Sequence, residues 1–89
     1  MIVVGGLNTA VEKFARGAAL QPGRVNRLQD VRSYPGGKGL HVAATVAALD
    51  APVRLVGIID AAHRRLFEGF LAARNVDFVG VGVAGAIRT

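Results

Sequence analysis

The most informative stretch of the sequence is Tyr34–His41, YPGGKGLH, because it separates an extended segment from a helical one. Its proline and glycines interrupt an extended segment, and the residues that follow change to helical spacing. Leu40, Ala43 and Ala47 recur at that spacing. Alanine is the best helix former, and apolar residues cover most of the segment. We therefore predict a helix over Leu40 to Leu49.

The same glycine turn is a candidate site for an anion. Glycines let the backbone come close to a ligand, and a helix that begins at once leaves its first N–H groups free to meet a negative charge. Lys38 adds a mobile positive charge at this position. The spacing is not that of a Walker A loop. From the residues alone, a purely structural turn before a helix is an equal alternative.

On either side of this stretch, apolar runs alternate with a second helical segment. The runs are predicted to be strands, the first two of them buried. The helical segment places Leu66, Phe67, Phe70 and Leu71 on one face, with Phe67, Phe70 and Leu71 in the core and Asp60 as its N-cap. Strands that alternate with helices indicate a parallel sheet with right-handed crossovers. The predicted elements are strands at Met1–Gly6, at Val53–Ile59 and from Val76, and a helix at Ala62–Arg74.

The segment between the first strand and the glycine turn has a different character. Asn8 to Arg16 shows no clear period and is predicted only weakly as strand or turn. Gln21, Pro22 and Gly23 signal a turn. Val25 to Ser33 alternates, but neither side is wholly apolar, which is typical of an exposed peripheral strand.

Composition narrows the classes of function. The chain has 89 residues, 52% of them hydrophobic, and this suits one small globular domain. It has no cysteine, so a disulfide framework and a thiolate metal site are excluded, and no apolar run is long enough to span a bilayer. We expect a cytoplasmic protein that binds no membrane.

The net charge is +5, from nine arginines and two lysines against six acids. A positive balance favours anionic ligands, among them nucleic acids and phosphorylated metabolites. The basic residues are scattered and aromatic residues are few, so no stacking platform for nucleic-acid bases is visible. We therefore expect no nucleic-acid partner.

The motif PGGKG at Pro35–Gly39 resembles the N-terminal signature of ribokinase-like (PfkB) carbohydrate kinases. Four further segments agree with the resemblance, which spans the whole chain. They are LNTAVE at 7–12, similar to the family's LNPA-x-D; LQPGRVNR at 20–27, similar to the approach to the lid strand in the branch of 1-phosphofructokinases and tagatose-6-phosphate kinases; AALDAPV at 47–53, similar to A-x-LG-x-x-V; and GAIRT at 85–89, similar to G-x-TRT.

The resemblance implies an α/β fold. Residues 1–89 would be the N-terminal fragment of a PfkB carbohydrate kinase domain, that is, the incomplete start of a doubly wound sheet with part of a small β lid at about residues 8–34. The family transfers a phosphoryl group from ATP to a sugar hydroxyl. Its ATP-binding region and its GAGD motif with the catalytic base lie far beyond residue 89. We therefore expect no catalytic residue and no metal ligand in this chain, with ATP and Mg²⁺ used only by the full-length form.

The resemblance implies that this chain binds the sugar or sugar phosphate and that it has no kinase activity on its own. Glu12 stands where the family has a sugar-binding Asp, and His41 where it has a sugar-contacting Asn. Arg88 matches an Arg that helps to bind the substrate's phosphate. The sugar-binding glycine turn is matched by Gly36, Gly37, Lys38 and Gly39. A homo-oligomer, formed through the lid or an open sheet edge, is also expected.

Three departures from the family pattern support an alternative. Glu12 keeps the charge but adds a methylene, and the imidazole of His41 cannot copy an amide that both donates and accepts. The family's second glycine signature loses its later glycines within Gly57–Arg65. The alternative prediction is a degenerate, non-catalytic binding or interaction module.

Overall fold

The computed structural model describes all 89 residues. It contains a three-stranded parallel sheet, a two-stranded antiparallel sheet and two α-helices, so the predicted α/β class with a separate small β unit is confirmed. The elements are β1 (Ile2–Gly6), β2 (Ala10–Gly17), β3 (Leu28–Gly36), α1 (Lys38–Ala48), β4 (Val53–Ile59), α2 (Arg64–Ala72) and β5 (Asp77–Gly82), with one 3-10 turn at Ala61–His63.

The parallel sheet has the strand order β1-β4-β5, and its core lies on one face only. The face of β4 that carries Val53, Leu55 and Ile59 is buried and packs in one cluster with Leu40 of α1 and Phe67 of α2. Both helices therefore cover the same face. Burial of these apolar side chains, each worth about 1.5–3 kcal/mol, is what holds the helices to the sheet.

The opposite face of the sheet is uncovered, and it is apolar apart from one exposed ion pair, between Arg54 and Asp77. By register, Val3 of β1 and Val79 of β5 lie on this face beside residues of β4, and these two side chains are 61% and 43% exposed. The prediction that the first strand is buried is thus wrong, since Ile2 is also 49% exposed. The physical reason is that β1 is an edge strand with one neighbour and with a helix on one side only.

The small antiparallel sheet is formed by β2 and β3. It lies in the segment that the resemblance predicts to be a lid, and it is called the lid below. The segment Asn8–Arg16, predicted weakly as strand or turn, is a strand from Ala10 onwards, namely β2. The prediction for Val25–Ser33 is wrong at both ends, since β3 begins at Leu28 and runs on to Gly36. The side chain of Asn26 explains the late start, because it bonds the backbone of Gln21 at 2.9 and 3.1 Å and so closes a loop before the strand.

Both predicted helices form, with small differences in extent. α1 begins at Lys38, two residues before the prediction. In α2, Phe67 and Leu71 are fully buried and Phe70 is half-buried against the same core, as predicted, whereas Leu66 is 37% exposed because it lies at the margin of the apolar face. The predicted cap is confirmed, since Asp60 accepts a hydrogen bond from the backbone N–H of His63 at 3.1 Å. Neither helix is long and apolar enough to cross a membrane.

The first turn of α1 meets the end of β1 through two glycines. A Cβ on Gly39 would lie 2.7 Å from the Cα of Gly6, a distance that real Cβ atoms do not adopt. The helix start can therefore approach the strand this closely only because position 39 has no side chain.

This contact predicts opposite outcomes for two glycine substitutions in helices. Alanine favours a helix over glycine by about 1 kcal/mol, and overpacking a tight contact costs about 1–3 kcal/mol. We expect Gly39→Ala to lower the free energy of unfolding. Gly69→Ala, in α2, is the matched control, because no atom lies within 4 Å of the added Cβ; it should raise stability by about 0.5–1 kcal/mol. Urea unfolding of the natural protein that carries this chain measures both, and a gain in stability for Gly39→Ala would contradict the contact.

Candidate functional site

A groove of about 570 Å³ lies where β2 begins, where α1 begins and where the last residues of the chain return to the sheet. Residues from both ends of the sequence line it together. Five of the seven predicted site residues are among them, namely Glu12, Gly37, Lys38, His41 and Arg88.

Gly37 forms the floor of the groove at the start of α1. Its φ of 106° is a backbone conformation that residues with a Cβ rarely adopt, and a Cβ there would lie 2.5 Å from the carbonyl oxygen of Asn8. No side chain caps the helix, and its first turn holds no acidic residue. The first N–H groups of an uncapped helix carry a partial positive charge. This end of the groove therefore favours a negatively charged or strongly polar group.

Glu12 and His41 form a pair across the groove. The Oε1 atom of Glu12 lies 3.1 Å from Nε2 of His41, and their side chains are 38% and 56% exposed. Gly36 makes the pair possible, because a Cβ on that residue would lie 2.5 Å from the carboxyl carbon of Glu12. The carboxylate thus lies over bare backbone and can reach the imidazole.

The same pair borders a second cavity of about 660 Å³ beneath the lid. Glu12, Phe14 and His41 line both cavities, and Arg32 and Phe70 are added in the second one. The rings of Phe14 and Tyr34 meet edge to face across the two lid strands, with centroids 5.5 Å apart. The Glu12–His41 pair is therefore the boundary between the groove and the space under the lid.

The charge of the groove is mainly positive. Lys13, Lys38 and Arg88 line it, with Glu12 as the opposing carboxylate. Cations gathered in a concave site raise the local concentration of anions. A ligand with an anionic group at one end and hydroxyl groups near Glu12 matches this distribution.

Arg88 is held in place by its backbone, although it is near the end of the chain. Its carbonyl oxygen accepts a hydrogen bond of 2.7 Å from the N–H of Val11, and it pairs with Ala10 as a parallel bridge. The preceding residue, Ile87, is buried, and its N–H donates to Oδ2 of Asp60 at 3.0 Å. Sequence reasoning identified Asp60 only as a helix cap. The local pattern offered no signal for this second contact, since it joins residues that are distant in the sequence.

Burial of Asp60 acts to raise the pKa of its carboxyl group, but the opposing hydrogen bonds outweigh that effect. The N–H of Ile87 and the ring and backbone of His63 together lower the pKa below its ordinary value of 3.8. The folded structure therefore favours the ionised carboxylate.

The two remaining predicted residues do not line the groove. Gly36 is buried under Glu12, and Gly39 packs against Gly6. Both shape the groove indirectly, because the absence of a side chain lets Glu12 lie over Gly36 and lets α1 approach β1 at Gly39. No group of three or more His, Cys, Asp or Glu side chains in the chain could hold a metal ion.

Comparison with known proteins agrees with the motifs. No protein-family model matches the chain. Its sequence is 35% identical over 83 residues to a 1-phosphofructokinase of Xanthomonas campestris, which covers 93% of this chain and 26% of that enzyme. The chain therefore spans about a quarter of the length of this relative.

Solved structures show the same fold. Phosphofructokinase-2 from Escherichia coli in complex with fructose-6-phosphate superposes with a TM-score of 0.86 at 22% identity, over 98% of this chain and 29% of that one. The same enzyme is known in a tetrameric inhibited form. A nucleoside kinase of Methanocaldococcus jannaschii, an archaeal member of the ribokinase family, superposes with a TM-score of 0.70 at 15% identity, over 97% of this chain and 30% of that one.

The hydrogen bonds of Asp60 predict a loss of stability at acidic pH. A carboxyl group whose pKa is lower in the folded than in the unfolded state stabilises the fold above the unfolded value, and this contribution is lost as the pH falls through the folded pKa. The difference in free energy of unfolding between wild type and Asp60→Asn should therefore be largest above about pH 5 and shrink towards about pH 3.

Urea unfolding across this pH range measures the difference. Asp50→Asn is the matched control, because Asp50 is exposed and its side chain makes no hydrogen bond. Since asparagine suits the φ of 62° at this position after α1 at least as well, the variant should be no less stable than wild type at neutral pH. A difference for Asp60→Asn that is constant over the whole range would contradict the role of the ionised carboxylate.

Proposed function

We propose that this chain is one part of a ribokinase-like (PfkB) carbohydrate kinase, whose fold it shares, and that it binds the sugar or sugar phosphate that receives the phosphoryl group. The observation that carries the proposal is the assembly of Glu12, Gly37, Lys38, His41 and Arg88 around one groove. The family pattern assigns these residues to the sugar, and the fold brings them together from both ends of the chain.

The chemistry of the groove divides into two parts. Glu12 accepts hydrogen bonds from sugar hydroxyls, and the ring nitrogens of His41 donate or accept according to which of them carries the proton. Lys38 supplies a compact charge, while the guanidinium of Arg88 can bind two oxygens of a phosphate at once. The uncapped start of α1 adds backbone donors to the same end. A hexose that already carries a phosphate group is the ligand that uses both parts.

Phosphoryl transfer itself belongs to the whole enzyme. It requires a bound phosphoryl donor, usually with Mg²⁺, and a residue that orients or deprotonates the attacking hydroxyl. We propose ATP and Mg²⁺ for that enzyme, and we expect this chain alone to bind an acceptor without phosphorylating it.

The uncovered face of the sheet supports a role as part of a larger domain. Exposed Val3, Val79 and Val81, with half-buried Val56 and Ile58, form an apolar surface there beside the Arg54–Asp77 ion pair, and exposed apolar patches of this kind mark contact surfaces. We propose that the rest of the kinase domain covers this face. Association of two copies through the lid, whose Phe14 is 58% exposed, is proposed for the complete enzyme, which we place in the cytoplasm.

A non-catalytic binding module is the second candidate. The contact between Glu12 and His41 favours it, because one carboxylate oxygen that a sugar would need is already engaged. An assay of ATP-dependent phosphorylation with a panel of hexose monophosphates, on the natural protein that carries this chain, separates the two. Turnover supports the kinase, and ligand binding without turnover supports the module.

Substitution of Lys38 tests the anionic end of the groove. Lys38→Met removes the charge and keeps the length of the side chain. A charge-assisted hydrogen bond contributes about 1.5–3 kcal/mol, so the Kd for fructose 6-phosphate should rise about tenfold or more. Binding of unphosphorylated fructose should change little, because it has no anion for Lys38 to meet. Calorimetric titration measures both ligands.

Arg65→Met is the matched control for this charge. Arg65 is exposed on α2 and does not line the groove, so this variant should bind fructose 6-phosphate as wild type does. An unchanged Kd in Lys38→Met, or an equal loss for the phosphorylated and the unphosphorylated sugar, would contradict a role for Lys38 at the phosphate.

A further inference from the structure

We infer that Asp60 is a positioning residue for the groove: its carboxylate fixes the backbone at Ile87 and thereby sets where Arg88 lies. The contacts that carry this inference do not depend on a ligand. Its consequence for binding rests on the proposed function, in which Arg88 meets the phosphate of the sugar.

Both oxygens of the Asp60 carboxylate have partners. Asp60 is 2% exposed, and Oδ1 accepts from the N–H of His63 at 3.1 Å, while Nδ1 of the His63 ring lies 2.8 and 2.9 Å from the two oxygens. Oδ2 accepts from the N–H of Ile87 at 3.0 Å. A buried carboxylate needs such donors to remain ionised, and here they come from two separate segments.

From Ile87 the contacts continue into the walls of the groove. The side chain of Ile87 is 6% exposed and belongs to the core, so this residue is fixed through both its backbone and its side chain. The next residue, Arg88, accepts the hydrogen bond from the N–H of Val11. Glu12 follows Val11 directly. One buried carboxylate at the end of β4 therefore holds the segment that joins the cationic and the acidic walls.

Capping a helix does not account for this arrangement. An N-cap needs one acceptor for one N–H group, and the contact with His63 already provides it. The bond to Ile87 uses the second oxygen and reaches a segment outside the helix. Asparagine offers one acceptor oxygen, and its NH₂ group cannot accept from a backbone N–H. Asp60→Asn can therefore satisfy the cap or Ile87, but not both.

A double-mutant cycle in the natural protein that carries this chain tests the inference, with fructose 6-phosphate as the probe in calorimetric titrations. Arg88→Met should raise the Kd about tenfold, and Asp60→Asn should raise it several-fold. If Asp60 acts through Arg88, the double variant should bind no more weakly than Arg88→Met alone. Effects of the two substitutions that add, or an unchanged Kd in Asp60→Asn when Arg88→Met weakens binding, would overturn the inference. Asp50→Asn should bind as wild type does.

Amide hydrogen exchange without ligand provides the second measurement. The N–H of Val11 is protected by its bond to Arg88, so Asp60→Asn should speed exchange at Val11 and Ile87 more than in β5. Unchanged exchange at Val11, or an equal increase throughout β5, would overturn the inference. If Arg88→Met leaves the Kd unchanged while exchange responds as expected, the phosphate role in the proposed function fails and the positioning of the segment stands.

Discussion

The start of α1 and the end of β1 touch without a side chain between them, and the groove exists because of this contact. A Cβ at position 39 would collide with Gly6, and one at Gly57 of the neighbouring strand would lie 2.8 Å from the carbonyl oxygen of Gly6. Three glycines therefore bring the carboxyl ends of two parallel strands and a helix start to one place. Ligands of α/β sheets bind outside the carboxyl ends of the strands, where helix N-termini and loops converge.

The walls of the groove are joined by hydrogen bonds between segments that are distant in the sequence. Val11 bonds to Arg88, and Ile87 bonds to Asp60 at the end of β4. Gly36 leaves room for Glu12 to reach His41. The acidic side of the groove thus depends on a missing side chain, and the cationic side depends on a buried carboxylate. In both cases a buried feature, the bare backbone of Gly36 or the carboxylate of Asp60, fixes residues whose side chains are partly or largely exposed, namely Glu12 and His41 in the first case and Arg88 in the second.

The parts of this structure that local sequence signals control could be predicted. The glycine turn, the alanine-rich α1 and the cap at Asp60 each depend on neighbouring residues. The exposure of Ile2 and Val3 could not be predicted from the sequence, because an apolar run in an edge strand looks the same as one in a central strand. The late start of β3 depends on bonds made by the side chain of Asn26, and the link from Asp60 to Ile87 closes only in three dimensions. Resemblance to a family assigned residues to the groove, but it gave no reason to expect the contact between Glu12 and His41.

If the groove at the start of α1 receives a phosphorylated sugar, an NMR titration of the isotope-labelled natural protein with fructose 6-phosphate will show it. The largest changes in amide chemical shift should then fall at Gly37 to His41 and at Arg88, with small changes along β5. Shifts that cluster on the uncovered face of the sheet, or no shifts with any of a panel of hexose monophosphates, would contradict binding in this groove.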